Sequence, residues 1–308
     1  MECIAMIWLL ILLAKIAALP FLADYARIKM DDRARGDAPG KFIKLRRGIT
    51  HYRRFGPQEG PLVVCVHGLT TPSFVFEGIA EAYVKNGYRV LVYDHYGRGY
   101  SDRPVGLQNR AFFVHHLEEL LDALGEDGSF DLVGYSMGGW IASAYGADHP
   151  ERIKRLILLA PAGMGTKLGW AALLVRHVPL IGDWVFMSTY AAQHRRGTEK
   201  DRAKHSYVEY VVERQQRELN YRGFLPSVLS SLRGALAAST QSEHKALQEA
   251  GTDVLAIWGE VDVVIPLSCK EKMSLWNRNA KHVVINGADH GLTYTHVPVV
   301  MDAIAQTG

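Results

Sequence analysis

The sequence predicts an α/β fold in which a mostly parallel sheet carries helices on both faces. Short apolar runs rich in Val, Leu and Ile alternate with helical patterns between residues 62 and 159, and again between residues 254 and 305. Continuous apolar strands of this kind are buried on both faces, because the helices that connect parallel strands cover the sheet. Two segments depart from the alternation: an apolar N-terminus, and residues 162–250, which contain no clear strand.

The composition is that of a globular protein. Of the 308 residues, 48% are apolar and 22% are charged, which excludes a disordered chain. Cys3, Cys65 and Cys269 are odd in number and lie far apart, so neither a disulfide framework nor a metal site is predicted. We expect no cofactor.

The first predicted element is an apolar helix within residues 1–30. Nineteen residues from Ile4 to Leu22 are apolar except for Lys15, and about 20 such residues cross a bilayer. A membrane anchor is therefore predicted. A buried or interfacial helix stays open, as does a cleaved signal peptide, although no positive charge precedes the apolar run.

Basic residues are concentrated directly after this helix. The segment between Tyr25 and Phe55 has ten basic residues against three acidic ones, so the remainder of the chain is slightly acidic. A slightly acidic body is not expected to bind nucleic acid. By the positive-inside rule the basic segment favours a cytoplasmic body on a membrane-associated protein; the signal-peptide alternative would export it.

A linker at Asp31–Gly40 precedes the regular alternation. The predicted strands are short apolar or β-branched runs, and the predicted helices have apolar residues on one face. In chain order the first part of the core (residues 31–161) contains strands at Lys41–Leu45, Thr50–Phe55, Leu62–Val66, Arg89–Tyr93, Phe130–Val133 and Lys154–Leu159, and helices at Phe74–Lys85, Gln108–Leu124 and Met137–Ala147.

Residues 162–250, called the lid segment below, are predicted to be helical. An insertion between two strands is expected to lie over the carboxyl ends of the strands, where ligands bind in open α/β sheets. The alternation resumes in the second part of the core (residues 251–308), with strands at Val254–Trp258 and His282–Ile285 and helices at Leu267–Trp276 and Val297–Ala305.

A serine occupies the turn between the predicted strand at Phe130 and the following helix. The spacing Gly134-x-Ser136-x-Gly138 is typical of a nucleophile elbow, in which a strained turn exposes the hydroxyl above the sheet. An ordinary glycine-rich turn is the alternative. A serine nucleophile also needs a base, an orienting carboxylate and an oxyanion hole.

Candidates for the base and the acid follow the last two predicted strands. His290 comes after the strand that ends at Ile285, and Asp262 comes after the strand that ends at Trp258, so both can reach the sheet edge that carries Ser136. His296 is a rival base. Asp289 is a rival acid, but its position next to His290 makes the required geometry awkward.

The oxyanion hole is predicted from two backbone amides. One amide normally belongs to the residue after the nucleophile, which is Met137. The other is expected in the turn after Val66, where Gly68 permits the Leu69 amide to point inward.

Five motifs together resemble the α/β-hydrolase superfamily, and in particular its lidded, esterase-like or lipase-like serine hydrolases. They are His67-Gly68-Leu69, Asp94-x-x-Gly97-x-Gly99-x-Ser101, Gly134-x-Ser136-x-Gly138, Trp258-Gly259-x-x-Asp262 and Asp289-His290-Gly291. The resemblance implies an eight-stranded type of sheet with a helical lid. It also implies Ser136 as nucleophile, His290 as base, Asp262 as its orienting acid, Leu69 and Met137 as amide donors, and no catalytic role for Asp94.

A serine at the elbow implies acyl transfer to water through an ester intermediate. The apolar stretch Trp170–Phe186 and the N-terminal segment favour an apolar ester as the small-molecule substrate, for example one like a monoacylglycerol. Hydrolysis of a carbon–carbon bond in a vinylogous diketone is the enzymatic alternative, and basic lid residues facing Ser136 would favour it. A ligand-binding or scaffold protein on the same fold is the non-enzymatic alternative.

Overall fold

The computed structural model describes residues 2–165 and 169–307, and its central element is a sheet of eight strands. The strands are β1 (Lys41–Leu45), β2 (Gly48–Phe55), β3 (Leu62–Val66), β4 (Arg89–Tyr93), β5 (Phe130–Tyr135), β6 (Ile153–Leu159), β7 (Val254–Gly259) and β8 (Lys281–Ile285). In space they are ordered β1-β2-β4-β3-β5-β6-β7-β8. β2 is antiparallel to both β1 and β4, and every other neighbouring pair is parallel. The mostly parallel sheet predicted from the sequence is confirmed.

Helices connect the parallel strands at the positions that the apolar patterns predict, to within a few residues. The helices are α1 (Glu2–Tyr25), α2 (Glu77–Lys85), α3 (Arg110–Leu124), α4 (Met137–Asp148), α5 (Trp170–His177), α6 (Ile181–Glu199), α7 (Val211–Arg217), α8 (Phe224–Arg233), α9 (Gln241–Glu249), α10 (Ser268–Trp276), α11 (Leu292–Thr295) and α12 (Val297–Gln306). The predicted helix at Phe74–Lys85 begins as a 3₁₀ turn over Ser73–Phe76.

The core consists of two apolar layers, one on each face of the sheet. Alternate side chains of a strand point to opposite faces. Val64 and Leu132 therefore pack with residues of α3 and α4, whereas Val63 and Val133 pack with residues of α2 and α12. Each such fully buried side chain contributes about 1.5–3 kcal/mol. The result is a rigid sheet whose strand ends are fixed in space.

The lid segment forms α5 to α9 between β6 and β7. Helices α6 and α8 share an apolar cluster that also includes Leu219; its members are Phe186, Met187, Leu219, Phe224, Leu225, Val228 and Leu229. Helix α9 is different, because its Leu247 belongs to the core layer that contains α4. The part of the lid segment that packs on itself therefore ends before α9.

The apolar stretch Trp170–Phe186 is divided between two helices by a tight turn. Pro179 lies between α5 and α6, and a proline cannot donate a helical hydrogen bond. Gly182 allows the two helices to approach closely, since a Cβ atom there would lie 2.6 Å from the carbonyl oxygen of Leu174. Helix α6 therefore turns back against α5.

The N-terminal apolar helix is present as predicted. α1 is long and apolar enough to cross a membrane by length and composition, and only Pro20 and Asp24 of its residues are buried. Its C-terminal end is attached to the lid segment. The Gly223 amide donates to Asp24 Oδ2 (3.1 Å), and Ile28 pairs with Tyr221 in a short parallel bridge.

The segment predicted as a linker, Asp31–Gly40, is packed against the body. Arg35 is buried, donates to the Tyr100 carbonyl (3.0 Å) and forms an ion pair with Asp102 (2.5 Å). The long-range ion pair between Arg35 and Asp102 fixes this predicted linker beside the loop after β4.

Candidate active site

Ser136 lies in a sharp turn between β5 and α4. Its backbone has φ 55° and ψ −118°, a conformation that is unfavourable for a residue with a side chain. The flanking glycines are required by close contacts: a Cβ atom would lie 2.4 Å from the Gly138 carbonyl oxygen at Gly134, and 1.9 Å from the Val66 carbonyl oxygen at Gly138. The turn holds the serine at the carboxyl end of β5, as the predicted elbow requires.

The structure brings Ser136, His290 and Asp262 into one hydrogen-bonded relay. The His290 Nε2 atom lies 3.0 Å from Ser136 Oγ, and His290 Nδ1 lies 2.7 Å from Asp262 Oδ2. A carboxylate only accepts hydrogen bonds, so Nδ1 carries the proton and Nε2 presents its lone pair to the serine hydroxyl. This is the tautomer that a general base needs.

Asp262 is held rigidly at its other oxygen. Oδ1 accepts hydrogen bonds from the amides of Val264 and Ile265, both 2.8 Å long, and the side chain has no solvent exposure. Oδ2 is therefore directed at the histidine. The sequence reveals the acid but not these two amide donors, because the conformation of the loop after β7 sets them.

Tyr135 supports His290 from the strand that precedes the serine. Its hydroxyl donates to the His290 carbonyl (2.8 Å), and its ring lies 5.3 Å from the imidazole ring between centroids. Burial raises the pKa of Tyr135 well above its ordinary value, so the phenol stays neutral and remains a donor. The sequence analysis did not identify this residue.

The rival candidates have other partners. His296 Nδ1 lies 2.8 Å from the hydroxyl of its neighbour Thr295. Asp289 pairs with Lys204 and accepts a hydrogen bond from the Gly291 amide (3.0 Å). Neither rival contacts Ser136 or His290 through a hydrogen bond within the residues that the structure describes.

The two residues predicted to donate amides to an oxyanion hole lie in segments that adjoin the serine. Met137 is the first residue of α4, where helix N–H groups have no intrahelical acceptor and the helix dipole is positive. Gly68 lies directly against the serine, since a Cβ atom there would be 3.3 Å from Ser136 Cβ. Among residues 2–165 and 169–307, the amides of Leu69 and Met137 have no hydrogen-bond acceptor. Their role stays a prediction.

The loop that carries Leu69 is fixed by two buried groups to which the sequence analysis assigned no role. His67 accepts from the His95 amide through Nε2 (2.9 Å), so its Nδ1 donates to the Gly68 carbonyl (2.8 Å). Burial lowers the pKa of His67 to about 4, which keeps it neutral. Arg98 donates to the Leu69 carbonyl (2.9 Å) and to Ser231 Oγ in α8 (2.8 Å), joining this loop to the lid segment.

Asp94 has the structural position that the resemblance implies. It is buried and accepts from the Ser73 amide (3.0 Å), the Tyr100 amide (2.9 Å) and His51 Nδ1 (2.7 Å). Burial alone would raise the pKa of Asp94, but His51 and these donors hold it below its ordinary value. Asp94 thus stays ionised and organises the loop after β4.

A cavity of about 710 Å³ opens above Ser136 and His290 beneath the lid segment. Its walls combine apolar groups, among them Leu69, Leu232 and Val264, with basic ones. The basic side chains come from the lid segment and are Arg176, Lys200 and Lys204. The space accommodates a medium-sized amphiphilic molecule, since ligand pockets typically measure ~300–1,000 Å³.

Comparison with known proteins gives the family. A family model described as the alpha/beta hydrolase fold matches residues 61–297. The chain is 30% identical over 217 residues to 2-hydroxymuconate semialdehyde hydrolase of Pseudomonas sp. CF600, which covers 68% of this chain and 72% of the relative. It is 39% identical over 124 residues to cis-3-alkyl-4-alkyloxetan-2-one decarboxylase of Shewanella oneidensis, covering 38% of this chain and 37% of that protein.

Solved structures show the same fold. An esterase from Exiguobacterium antarcticum superposes with a TM-score of 0.72 at 19% identity, covering 87% of this chain and 99% of the esterase. The chain belongs to the α/β-hydrolase superfamily, as its five motifs imply. The chain thus has the fold of a family of enzymes, and the reaction that it catalyses depends on the residues of its own site.

Proposed function

We propose that this protein is a serine hydrolase that cleaves a carboxylic ester of an apolar or amphiphilic molecule. The observation that carries the proposal is the Ser136–His290–Asp262 relay, with distances of 3.0 Å and 2.7 Å, opening into the 710 Å³ cavity. Ester hydrolysis needs a nucleophile and a base that later acts as an acid, and these residues supply both.

In the acylation step, Ser136 Oγ attacks the ester carbonyl carbon while His290 Nε2 takes the hydroxyl proton. The amides of Leu69 and Met137 stabilise the negative charge on the carbonyl oxygen. The carbon–oxygen bond to the alcohol then breaks, and the proton on His290 passes to the departing alkoxide. The products of this step are an alcohol and an acyl-serine.

In the deacylation step, a water molecule attacks the acyl-serine. His290 removes a proton from the water, and the tetrahedral intermediate uses the same two amides. The bond to Ser136 Oγ breaks, the proton returns to the serine, and a carboxylic acid leaves. Asp262 keeps its hydrogen bond to His290 Nδ1 and stabilises the imidazolium that forms in each step.

The substrate class follows from the cavity and from α1. Apolar walls suit an acyl chain, and a helix of 24 residues with little buried surface suits attachment to a membrane. An ester derived from a membrane lipid, such as a monoacylglycerol, meets both conditions. The basic residues after α1 favour a body on the cytoplasmic side.

A second candidate is hydrolysis of a carbon–carbon bond in a carboxylated vinylogous diketone. Arg176 supports it, because this residue lines the cavity, donates to the Ala237 carbonyl and has no carboxylate partner among the described residues. The relative named 2-hydroxymuconate semialdehyde hydrolase supports it as well. A cation with no carboxylate partner is a suitable contact for a substrate carboxylate.

A substrate panel separates the two candidates. The purified protein and its Ser136→Ala variant are assayed against p-nitrophenyl esters of graded chain length, a monoacylglycerol and a carboxylated vinylogous diketone. Ester hydrolysis that the Ser136→Ala substitution abolishes is expected. Cleavage of the diketone alone, with a large rise in KM for Arg176→Met, would favour the second candidate.

The non-enzymatic alternative is tested on the same samples. A fluorophosphonate probe is expected to label the protein at Ser136 and to leave Ser136→Ala unlabelled. Absence of labelling, together with absence of hydrolysis across the panel, would indicate a binding protein on a hydrolase fold.

A further inference from the structure

Helices α5 and α6 and the turn between them carry exposed large apolar side chains. Five of these residues are called the lid patch below: Trp170, Leu173, Leu180, Ile181 and Trp184, whose exposed fractions are 79%, 44%, 79%, 60% and 37%. Large apolar side chains exposed together indicate an interaction surface, whereas single ones do not.

Trp184 of the lid patch lies directly beside α1. Pro20 has no N–H group, so the carbonyl of Ile16 lacks its usual helical donor. The indole N–H of Trp184 donates to that carbonyl instead, at 3.1 Å. A proline within α1 thus creates the acceptor through which the helix attaches to α6.

A second attachment lies about two turns further along α1. Asp24 accepts from the Gly223 amide (3.1 Å), and the Ile28 amide donates to the Asn220 carbonyl (3.0 Å). Two attachments fix both the position and the direction of α1 relative to the lid segment. The exposed apolar side chains of α1 and Trp184 of the lid patch therefore lie side by side.

The length of α1 determines what this surface contacts. From Glu2 to Ile16 the helix rises about 21 Å at ~1.5 Å per residue, which is less than the ~30 Å of a bilayer core. If Glu2 reaches the far boundary of the core, Ile16 and Trp184 lie about 9 Å inside the near one. If α1 lies along the surface instead, Trp184 touches the same interface. In either arrangement Trp184 would meet the lipid core or its interface.

The backbone at Leu180 is built to expose this side chain. Leu180 has φ 64° and ψ −61°, and the Ile181 amide donates to the Pro179 carbonyl (2.7 Å), which defines a γ-turn. This turn is rare and costs on the order of 1–3 kcal/mol for a residue with a side chain. The turn directs a large apolar residue into the surroundings rather than into the fold.

We infer that the lid patch is a second membrane-contacting surface, which inserts beside α1 and sets the cavity above Ser136 against the bilayer. The same two helices line that cavity from inside, through Arg176 in α5 and Tyr190 in α6. The occupant of the patch is the lipid bilayer, and the substrate class is an ester that resides in it. This inference rests on the proposed membrane attachment through α1.

The test uses the full chain in phosphatidylcholine–phosphatidylglycerol vesicles. In a Cys3→Ser background, whose remaining cysteines are buried, Leu180→Cys carries an environment-sensitive fluorophore. Leu275→Cys, on α10 of the core, is the matched control because Leu275 is 75% exposed. Brominated lipids are expected to quench the label at position 180 and to leave the label at position 275 unchanged.

A pair of charge substitutions gives a functional readout. Leu180→Glu is expected to lower severalfold the hydrolysis of a lipid ester presented in vesicles, without changing hydrolysis of a water-soluble short-chain ester. Leu275→Glu is expected to change neither. A label at position 180 that lipid bromine does not quench would overturn the inference, and so would a dimer in detergent that Leu180→Glu converts to a monomer, because the patch would then bind a second copy.

The outcome is separable from that of the proposed hydrolysis. Quenching measures contact with lipid and needs no activity. The inference about the lid patch is therefore still supported by quenching if Ser136→Ala leaves ester hydrolysis unchanged. Conversely, hydrolysis of the soluble ester with no quenching retains the serine hydrolase and rejects the lid patch.

Discussion

At the scale of single residues, the strained backbone of Ser136 is sustained by contacts on every side. Its positive φ costs on the order of 1–3 kcal/mol, and glycine contacts with β3 and α4 prevent the turn from relaxing. The sequence reveals this turn well, because a turn of such geometry permits few residue types. It does not reveal the donors to Asp262 or the contact from Tyr135, since these depend on loop conformation and on strand neighbours distant in the chain.

Replacement of Asp262 by asparagine tests the relay at one atom. Asparagine keeps an oxygen for the amides of Val264 and Ile265, so its NH₂ group faces His290 and forces the wrong tautomer. We expect kcat to fall roughly 10⁴-fold with little change in KM. Steady-state kinetics on a p-nitrophenyl ester measures this.

The matched control is Asp289→Asn, which changes the neighbouring carboxylate in the same way. Asp289 pairs with Lys204 rather than with His290, so a much smaller loss is expected. Equal losses from both substitutions would show that overall charge near the histidine matters, rather than its tautomer.

At the scale of elements, the short 3₁₀ helix Glu218–Asn220 of the lid segment contacts the loop after β4. Glu218 is buried, accepts from the Gly99 amide (2.8 Å) and lies 3.9 Å from Arg103. Burial raises the pKa of Glu218 to about 7, against the lowering effects of Arg103 and the Gly99 amide. A carboxyl group at this junction changes charge near neutral pH.

Glu218→Gln is expected to flatten the dependence of stability on pH. Because the folded pKa is about 7 and the ordinary value is 4.5, the folded state keeps a proton that the unfolded state loses between these values. Stability therefore falls as pH rises through this window, by an amount on the order of 2–3 kcal/mol, and levels off above it.

The measurement is urea unfolding of both proteins at steps from about pH 5 to about pH 8. Glutamine retains the oxygen that accepts from Gly99, so the variant is expected to fold. Parallel curves for the two proteins would mean that Glu218 does not carry the proton. Other groups titrate equally in both proteins, so their contributions cancel when the two free energies of unfolding are subtracted at each pH.

Helix ends are where the predicted elements differ most from the structure. The apolar pattern of Trp170–Phe186 fits one buried stretch, but Pro179 interrupts its hydrogen bonding and Gly182 allows the chain to turn back. Both residues are visible in the sequence. What is not visible is the neighbouring helix α8, with which α6 shares its apolar cluster.

At the scale of the whole molecule, α1 and the lid segment are attached to each other. The sequence identifies the apolar helix by length and composition alone, but the contact between Ile16 and Trp184 spans 168 positions. No local pattern encodes such a contact. The mostly parallel pairing of the strands, by contrast, follows from the regular alternation of strands and helices.

Deletion of residues 2–15 tests the proposed membrane attachment while sparing these contacts. The truncated chain keeps Ile16, Asp24 and Ile28, so its body is expected to hydrolyse a water-soluble ester at the original rate. We expect alkaline carbonate to release it from membranes that retain the full chain. Sedimentation after carbonate extraction measures the distribution.

Deletion of residues 2–30 is the companion variant, because it removes the contacts to Asn220 and Gly223 as well. A lower thermal midpoint is expected for this variant only. A chain without residues 2–15 that stays in the carbonate pellet would contradict attachment through α1.

Because the lid segment is inserted between β6 and β7, the ribosome makes Ser136 well before it makes His290. Ser136 precedes His290 by 154 residues, and chains are synthesised at roughly 5–20 residues per second. The base therefore follows the nucleophile by on the order of 8–30 seconds, and α1 is made before either. Attachment through α1, as proposed, thus begins on a nascent chain that has no complete relay, and membrane lipids meet the hydrolytic site only after β7 and β8 have joined the sheet.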